Sequence, residues 1–223
     1  MKGGFVKAAF FRKKGGFRFL YLAKYQSEKF VEPHDILRFL YANLHGLPEV
    51  EAAHKEKDYP PFALQYEKGV PFLAIWGRAE EAFSKIAVKN GFVAVKCLAL
   101  ERLMNGAEGE GVTLEHVSPT AFAVYGTKAP VVLPHLYWRR PLAALTYLGS
   151  EKLKPAQKRI HAATNACHQT LKIGGKEVKV PGFKGVVRFV EGNSDLQFLA
   201  RVAEFTGIGC KTAWGMGTVR LVV

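Results

Sequence analysis

Residues 61–100 read PFALQYEKGV PFLAIWGRAE EAFSKIAVKN GFVAVKCLAL, and the order of their elements decides the fold. Pro61–Tyr66 and Val70–Trp76 are short apolar runs around Glu67-Lys68-Gly69, which predicts two strands joined by a hairpin turn. Glu80–Lys89 has helical spacing and closes on Asn90-Gly91, residues that tolerate the left-handed backbone at a helix C-terminus. Phe92–Leu100 is a further strand. Working outward, Pro33 can open a helix, and Ile36, Leu37, Phe39, Leu40 and Leu44 predict an amphipathic helix over 34–45, which Gly46 and Pro48 end or bend. Before it, Phe5–Phe11 and Phe17–Tyr25 flank Arg12-Lys13-Lys14-Gly15-Gly16, a hairpin whose tip carries three positive charges. Strand, helix, strand, strand, helix, strand is the ferredoxin-like order: a four-stranded antiparallel sheet with two helices on one face. Here the first strand is expected to be doubled into a hairpin.

The second half is less regular. Residues 104–160, with Pro119, Pro130, Pro134, Pro141 and Pro155, read as turn-rich connections with short strands, and the division into lobes is placed at 1–115 and 116–223. Strands are expected at Cys167–Ile173, at Val178–Val180 beyond a Gly174-Gly175 turn, and at Gly185–Val190. Asn193-Ser194-Asp195 offers an N-cap for a helix over Leu196–Thr206, and Val219–Val223 closes the chain as a strand. The fold class is therefore α+β, with two ferredoxin-like lobes in tandem.

Charge is unevenly spread. Residues 1–31 carry eight Lys/Arg against Glu28 alone, residues 32–150 carry twelve basic against thirteen acidic, and residues 151–223 carry twelve against five. Two basic ends thus flank a near-neutral middle within a net charge of +13, a pattern suited to gripping one polyanion with two lobes. No apolar run reaches the roughly 18 residues of a membrane span, and Met1-Lys2-Gly3-Gly4 does not begin a signal peptide. Cys97, Cys167 and Cys210 are odd in number and far apart, which suits a reducing compartment, the cytoplasm, and gives no zinc-binding spacing. No metal site and no cofactor are expected.

The most specific local feature is Gly207-Ile208-Gly209-Cys210-Lys211-Thr212-Ala213-Trp214-Gly215-Met216-Gly217. Glycines allow positive φ and close backbone approach to an anion, and Lys211 adds charge. The Lys211-Thr212 pair suggests a nucleotide P-loop, but Phe205 and Cys210 stand where that motif needs glycine, and a strand follows instead of a helix. The loop instead resembles the C-terminal glycine-rich motif of the RAMP superfamily of CRISPR-associated proteins. Pro181-Gly182-Phe183-Lys184-Gly185 is similar to the Gly-Phe-x-Gly strand of its repeat-processing branch, the Cas6 endoribonucleases. His116-Val117-Ser118-Pro119-Thr120-Ala121-Phe122 is similar to that branch's Ser-Pro-Thr-x-Phe segment, and His54 followed by Pro61-Phe62-Ala63-Leu64 to its histidine and Pro-Phe-x-Leu strand.

The resemblance implies cleavage within CRISPR repeat RNA, the precursor of guide RNA, by attack of a ribose 2′-hydroxyl on the adjacent phosphate without a metal. His54 is then the principal catalytic residue and His45 its rival, while Lys55, Lys57 and Tyr41 are candidate helpers by proximity in sequence. Histidine suits the proton transfers because its ordinary pKa lies near 6.5. Contacts to RNA fall to Gly207, Gly209, Lys211, Thr212, Trp214, Gly215 and Gly217 of the loop, to Arg12, Lys13 and Lys14, and to Arg139 and Arg140 beside Tyr137-Trp138. His34, His116, His135, His161 and His168 have no motif support, and a structural role is expected for each. Further partners consistent with the resemblance are CRISPR effector-complex subunits and a second copy of the chain. The rival function is a non-catalytic RAMP subunit that holds guide RNA. A metal-dependent nuclease fits less well, because Glu49, Glu51, Glu56 and Asp58 are spread along a charged segment.

Overall fold

The computed structural model describes residues 21–30, 32–56, 59–67, 70–99, 111–147, 153–157, 159–173 and 176–222. In the first lobe β1 (Tyr21–Ser27), α1 (Pro33–Asn43), α2 (Pro48–Glu56), β2 (Phe62–Glu67), β3 (Val70–Trp76), α3 (Gly77–Ala87) and β4 (Phe92–Ala99) follow in turn. Strand period puts Ala23, Tyr25, Phe62, Leu64, Leu73 and Ile75 on one face, where they form a core with Ile36, Leu37 and Leu40 of α1 and Ala79 and Phe83 of α3. Gly91 ends the second helical region at φ 77°, as the Asn90-Gly91 pair predicts.

The second lobe repeats the plan. β5 (Val112–Thr120) is followed by a small hairpin of β6 (Phe122–Val124) and β7 (Thr127–Ala129), then α4 (Pro134–Tyr137) and α5 (Arg139–Tyr147). The long β8 (Arg159–Ile173) and β9 (Lys176–Val190), α6 (Ser194–Thr206) and β10 (Val219–Val222) complete it. The sheets run β2-β3-β1-β4 and β10-β5-β9-β8, so each lobe, counted by its own strands, has the ferredoxin-like order 4-1-3-2. The chain is a tandem ferredoxin-like α+β protein.

β1 is flanked by β3 over Leu22–Tyr25 and by β4 over Tyr21–Ser27; the hairpin expected with 5–11 lies outside the described residues. Three expectations change. Pro48 opens a second helix instead of breaking the first. Residues 104–160 contain two helices as well as strands, and the division drawn at 115/116 falls inside β5. Val178–Val180 and Gly185–Val190 are one strand, because β9 pairs with β8 without interruption through Pro181 and Gly182. Pro181 is tolerated there because β9 lies between β5 and β8 only over part of its length; opposite Pro181 only β8 pairs.

The lobes share a core. The other face of the first sheet, with Leu22, Ala63, Ala74 and Trp76, packs with α6 and the inward residues Leu114, Phe183, Val187 and Phe189 of the second sheet. α6 is accordingly buried nearly all round, through Leu196, Phe198, Leu199, Ala200, Val202, Ala203 and Phe205. Asn193 caps it as expected, its side chain accepting from Leu196 N at 3.1 Å. Among the described residues no helix is long and apolar enough to cross a membrane.

Candidate functional site

The glycine-rich loop and the Ser118-Pro119-Thr120-Ala121 segment, distant in sequence, are sewn together. Cys210 N donates to Ala121 O at 2.8 Å, Gly217 N to Pro119 O at 2.9 Å, and Thr218 N to the Ser118 hydroxyl at 2.8 Å. The first lobe joins through Tyr66 N, which donates to the Thr218 hydroxyl at 3.3 Å. Two glycines are required by this packing. Gly217 has φ +71°, and a Cβ there would lie 1.9 Å from the Ile208 carbonyl oxygen; at Gly215, φ +84°, it would lie 2.3 Å from the Tyr66 ring. Gly207 and Gly209 are likewise buried.

This placement revises the expected contacts to RNA. The four glycines and Thr212 are interior: Gly207, Gly209 and Gly217 lie against second-lobe backbone, and Gly215 against the Tyr66 ring of the first lobe. Trp214 is half-buried, packed against the first-lobe core, and its carbonyl accepts from Gln169 Nε2 at 3.4 Å. Lys211 is the exposed cation of the loop, held at φ 59°. Its neighbour Cys210 lies close enough to Lys128 of β7 and Lys211 for their charges to oppose the burial that raises its thiol pKa.

Arg140 is corrected outright. It is fully buried, donating from Nη2 to Pro60 O at 2.8 Å and Phe62 O at 3.0 Å, and from Nε to Thr206 O at 3.4 Å. Its guanidinium also lies 5.0 Å from the ring centroids of both Tyr59 and Trp76. A second-lobe arginine is thus committed to first-lobe carbonyls and rings, and cannot reach RNA. Arg139, one residue earlier, is exposed. Arg12, Lys13 and Lys14 lie outside the described residues.

The candidate catalytic residues that are described lie on or between α1 and α2, and the short helical turn Thr212–Trp214 of the loop touches α1 and β2. Tyr41 of α1 packs edge-on against Phe62 at 5.6 Å, and burial raises its hydroxyl pKa. His45, between the helices, is 81% exposed, with Nε2 3.9 Å from Glu51 Oε1. His54 and Lys55 lie on the last turn of α2; Lys57 is outside the described residues. Among the described residues, no three His, Cys, Asp or Glu side chains group as metal ligands.

Two further features belong to this region. His116 has a structural role, as expected: it is buried, its Nδ1 2.7 Å from the Thr120 hydroxyl and its Nε2 2.6 Å from Tyr137 OH. Thr120 donates onward to Ser118 O at 3.4 Å, leaving its oxygen to accept from Nδ1–H, and Tyr137 O–H then donates to Nε2. Burial lowers the His116 pKa to about 3, so the ring is neutral. It orders the bend in β5 where the register with β9 shifts between His116 and Thr120. The second feature is the outward face of the second sheet, where Arg188 pairs opposite His161 and Lys184 opposite Asn165, all exposed. The signal was in the sequence, as Lys184 and Arg188 alternate with the inward Phe183, Val187 and Phe189.

Residues 114–219 match the family model of the CRISPR-associated endoribonuclease Cas6. A Cas6 product complex superposes with a TM-score of 0.65 at 18% identity, covering 92% of this chain and 99% of the other. A Cas6 substrate-mimic complex gives 0.58 at 21% identity, with 92% and 98% covered. Thermus thermophilus Cas6 gives 0.53 at 18% identity, with 93% and 100% covered. At these identities the likenesses establish the shared fold. No curated protein sequence matches the chain.

Proposed function

We propose that this chain, whose residues 114–219 match the family model of the CRISPR-associated endoribonuclease Cas6, binds CRISPR repeat RNA and cuts it once. The observation that supports the reading is the glycine loop, stitched to Ser118–Ala121 and set against α1 and β2, which brings the basic second lobe against α1, the helix that carries Tyr41.

In the proposed reaction a ribose 2′-hydroxyl at the cleavage site attacks the adjacent phosphorus. The P–O bond to the next nucleotide's 5′ oxygen breaks, leaving a 2′,3′-cyclic phosphate and a 5′-hydroxyl. His54 moves a proton, either from the 2′-hydroxyl or to the leaving oxygen, a role that suits histidine. Lys55 and Lys57 offset the charge that builds on the phosphorane oxygens. Tyr41, whose hydroxyl burial keeps protonated, is a donor toward that phosphate. The nucleophile belongs to the substrate and side chains move the protons, so no metal is required.

Lys211, Lys184, Arg188 and Arg139 are exposed and available to phosphates flanking the cut. The test is to incubate the full chain with end-labelled repeat RNA and map the products. One cut per repeat, abolished in a scrambled RNA, supports the reading. Tight binding with no cut under any condition points to the non-catalytic holding role.

A further inference from the structure

A surface pocket of about 410 Å³ opens on the second lobe, away from the glycine loop, between α4, α5 and residues 153–157. Its walls include Trp138, Leu142 and Pro155, and His135, Arg139 and Gln157 also line it. The wall at 153–157 is fixed by the start of α6. Asn193 Nδ2 donates to Lys154 O at 2.9 Å, Asn193 Oδ1 accepts from Ala156 N at 3.1 Å, and Asp195 Oδ2 accepts from Lys154 N at 2.9 Å. The cavity is therefore preformed, and its size is that of a small-ligand site.

Its chemistry is specific. Trp138 Nε1 and Gln157 Oε1 are shut off from bulk water and neither has a hydrogen-bond partner, so one donor and one acceptor stand unpaired at the same pocket. Unpaired buried polar atoms are costly, and a ligand offering an acceptor and a donor side by side would relieve both. Every nucleobase has such an edge. Leu142 and Pro155 supply apolar surface for a ring, Arg139 lines the pocket as an exposed cation with Lys154 nearby, and no carboxylate is among its described lining residues.

We propose that this pocket takes one unpaired nucleotide of the bound RNA, its base inside and its phosphate at Arg139. The proposal rests on the RNA-binding reading above and adds a specificity site lined by none of the proposed catalytic residues. It also divides the Tyr137-Trp138-Arg139-Arg140 cluster: Tyr137 and Arg140 serve the core, Arg139 the pocket, and Trp138 both.

The test uses the full chain, with repeat RNAs made abasic at one unpaired position at a time, against wild type, Gln157→Leu and Leu142→Phe. The first variant removes the acceptor and the second fills the cavity; circular dichroism and melting establish that each folds. One abasic position is expected to weaken wild-type binding about tenfold while changing neither variant, each of which already binds intact RNA about tenfold less tightly. Titration with free AMP, CMP, GMP and UMP, read by tryptophan fluorescence, separates a pocket for free nucleotides from one that needs the RNA chain. Two folded variants with wild-type affinity and wild-type abasic profiles would overturn the proposal while leaving the RNA-binding reading intact, and would assign the pocket to a protein ligand. A wild type that binds no repeat RNA would overturn both.

Discussion

His45 precedes α2 and His54 lies on its last turn, while His34, on α1, has no motif support. The account gives the proton transfers to His54, so His54→Ala should slow cleavage by at least about 100-fold while RNA affinity stays near wild type. His45, exposed and beside Glu51, should tolerate the same change with less than about a tenfold loss. Single-turnover kinetics with both variants decides between them; the reverse pattern moves the assignment to His45. At this scale the sequence was a partial guide. Lys211 and Arg139 proved exposed, as a site residue must be, whereas Arg140 carries the same charge one position later and is buried. Composition cannot separate them, because the difference lies in which side of α5 faces Tyr59, Trp76 and the Phe62 carbonyl, contacts from a distant part of the chain.

Among the elements, the glycine loop and the bend in β5 make the most specific predictions. Gly217→Ala places a Cβ against a backbone carbonyl and Gly215→Ala places one against a side chain. Both should lower the melting temperature, each costing at least about 1–2 kcal/mol for the left-handed backbone alone. Tyr66→Leu should recover part of the loss in Gly215→Ala and none in Gly217→Ala. Equal recovery in both would show that the clash assigned to the Tyr66 ring is not the cause.

The neutral His116 ties the same region to pH. Its pKa in the folded chain, about 3, lies below the ordinary 6.5, so the unfolded chain takes up the proton first as pH falls. Its contribution is therefore complete above pH 6.5 and lost as pH falls toward 3, at about 1.4 kcal/mol per unit. Denaturation midpoints between pH 7 and 4 should fall less steeply for His116→Gln than for wild type, and parallel curves would contradict the buried, neutral ring. The sequence made most elements readable because their apolar spacing is regular, as in α1, β3, β4 and α6. It misread α2 because Pro48 was taken as a stop, although proline followed by Glu49 and Glu51 in the first turn also marks a helix start. It ended one strand at Val180 and began another at Gly185, leaving out Pro181–Lys184, through which β9 runs unbroken. Gly185 is there because a Cβ would lie 2.2 Å from Ala163 O on the neighbouring strand.

For the whole molecule, two ferredoxin-like lobes are joined by one buried helix, one looped motif and Arg140. Truncating that arginine should act on the joint. Arg140→Met should destabilise the chain by roughly 3 kcal/mol or more, since it leaves first-lobe carbonyls without their charged donor. It should leave the affinity of the folded protein for RNA unchanged, and a loss of affinity at full stability would restore the surface role. The tandem architecture could be read in the sequence because four short motifs in order implied it; the shared core could not, because nothing local to α6 shows that both lobes bury it. The claim that unites these levels is a cut made by the RNA's own 2′-hydroxyl with protein side chains moving the protons. The most direct measurement is cleavage of repeat RNA in excess EDTA, with and without a single 2′-deoxy substitution at the cut. The account predicts full cleavage of the all-ribose RNA to a 2′,3′-cyclic phosphate and a 5′-hydroxyl, and none of the deoxy-substituted RNA. Activity lost in EDTA, or a deoxy-substituted RNA cut as fast as its parent, would contradict it.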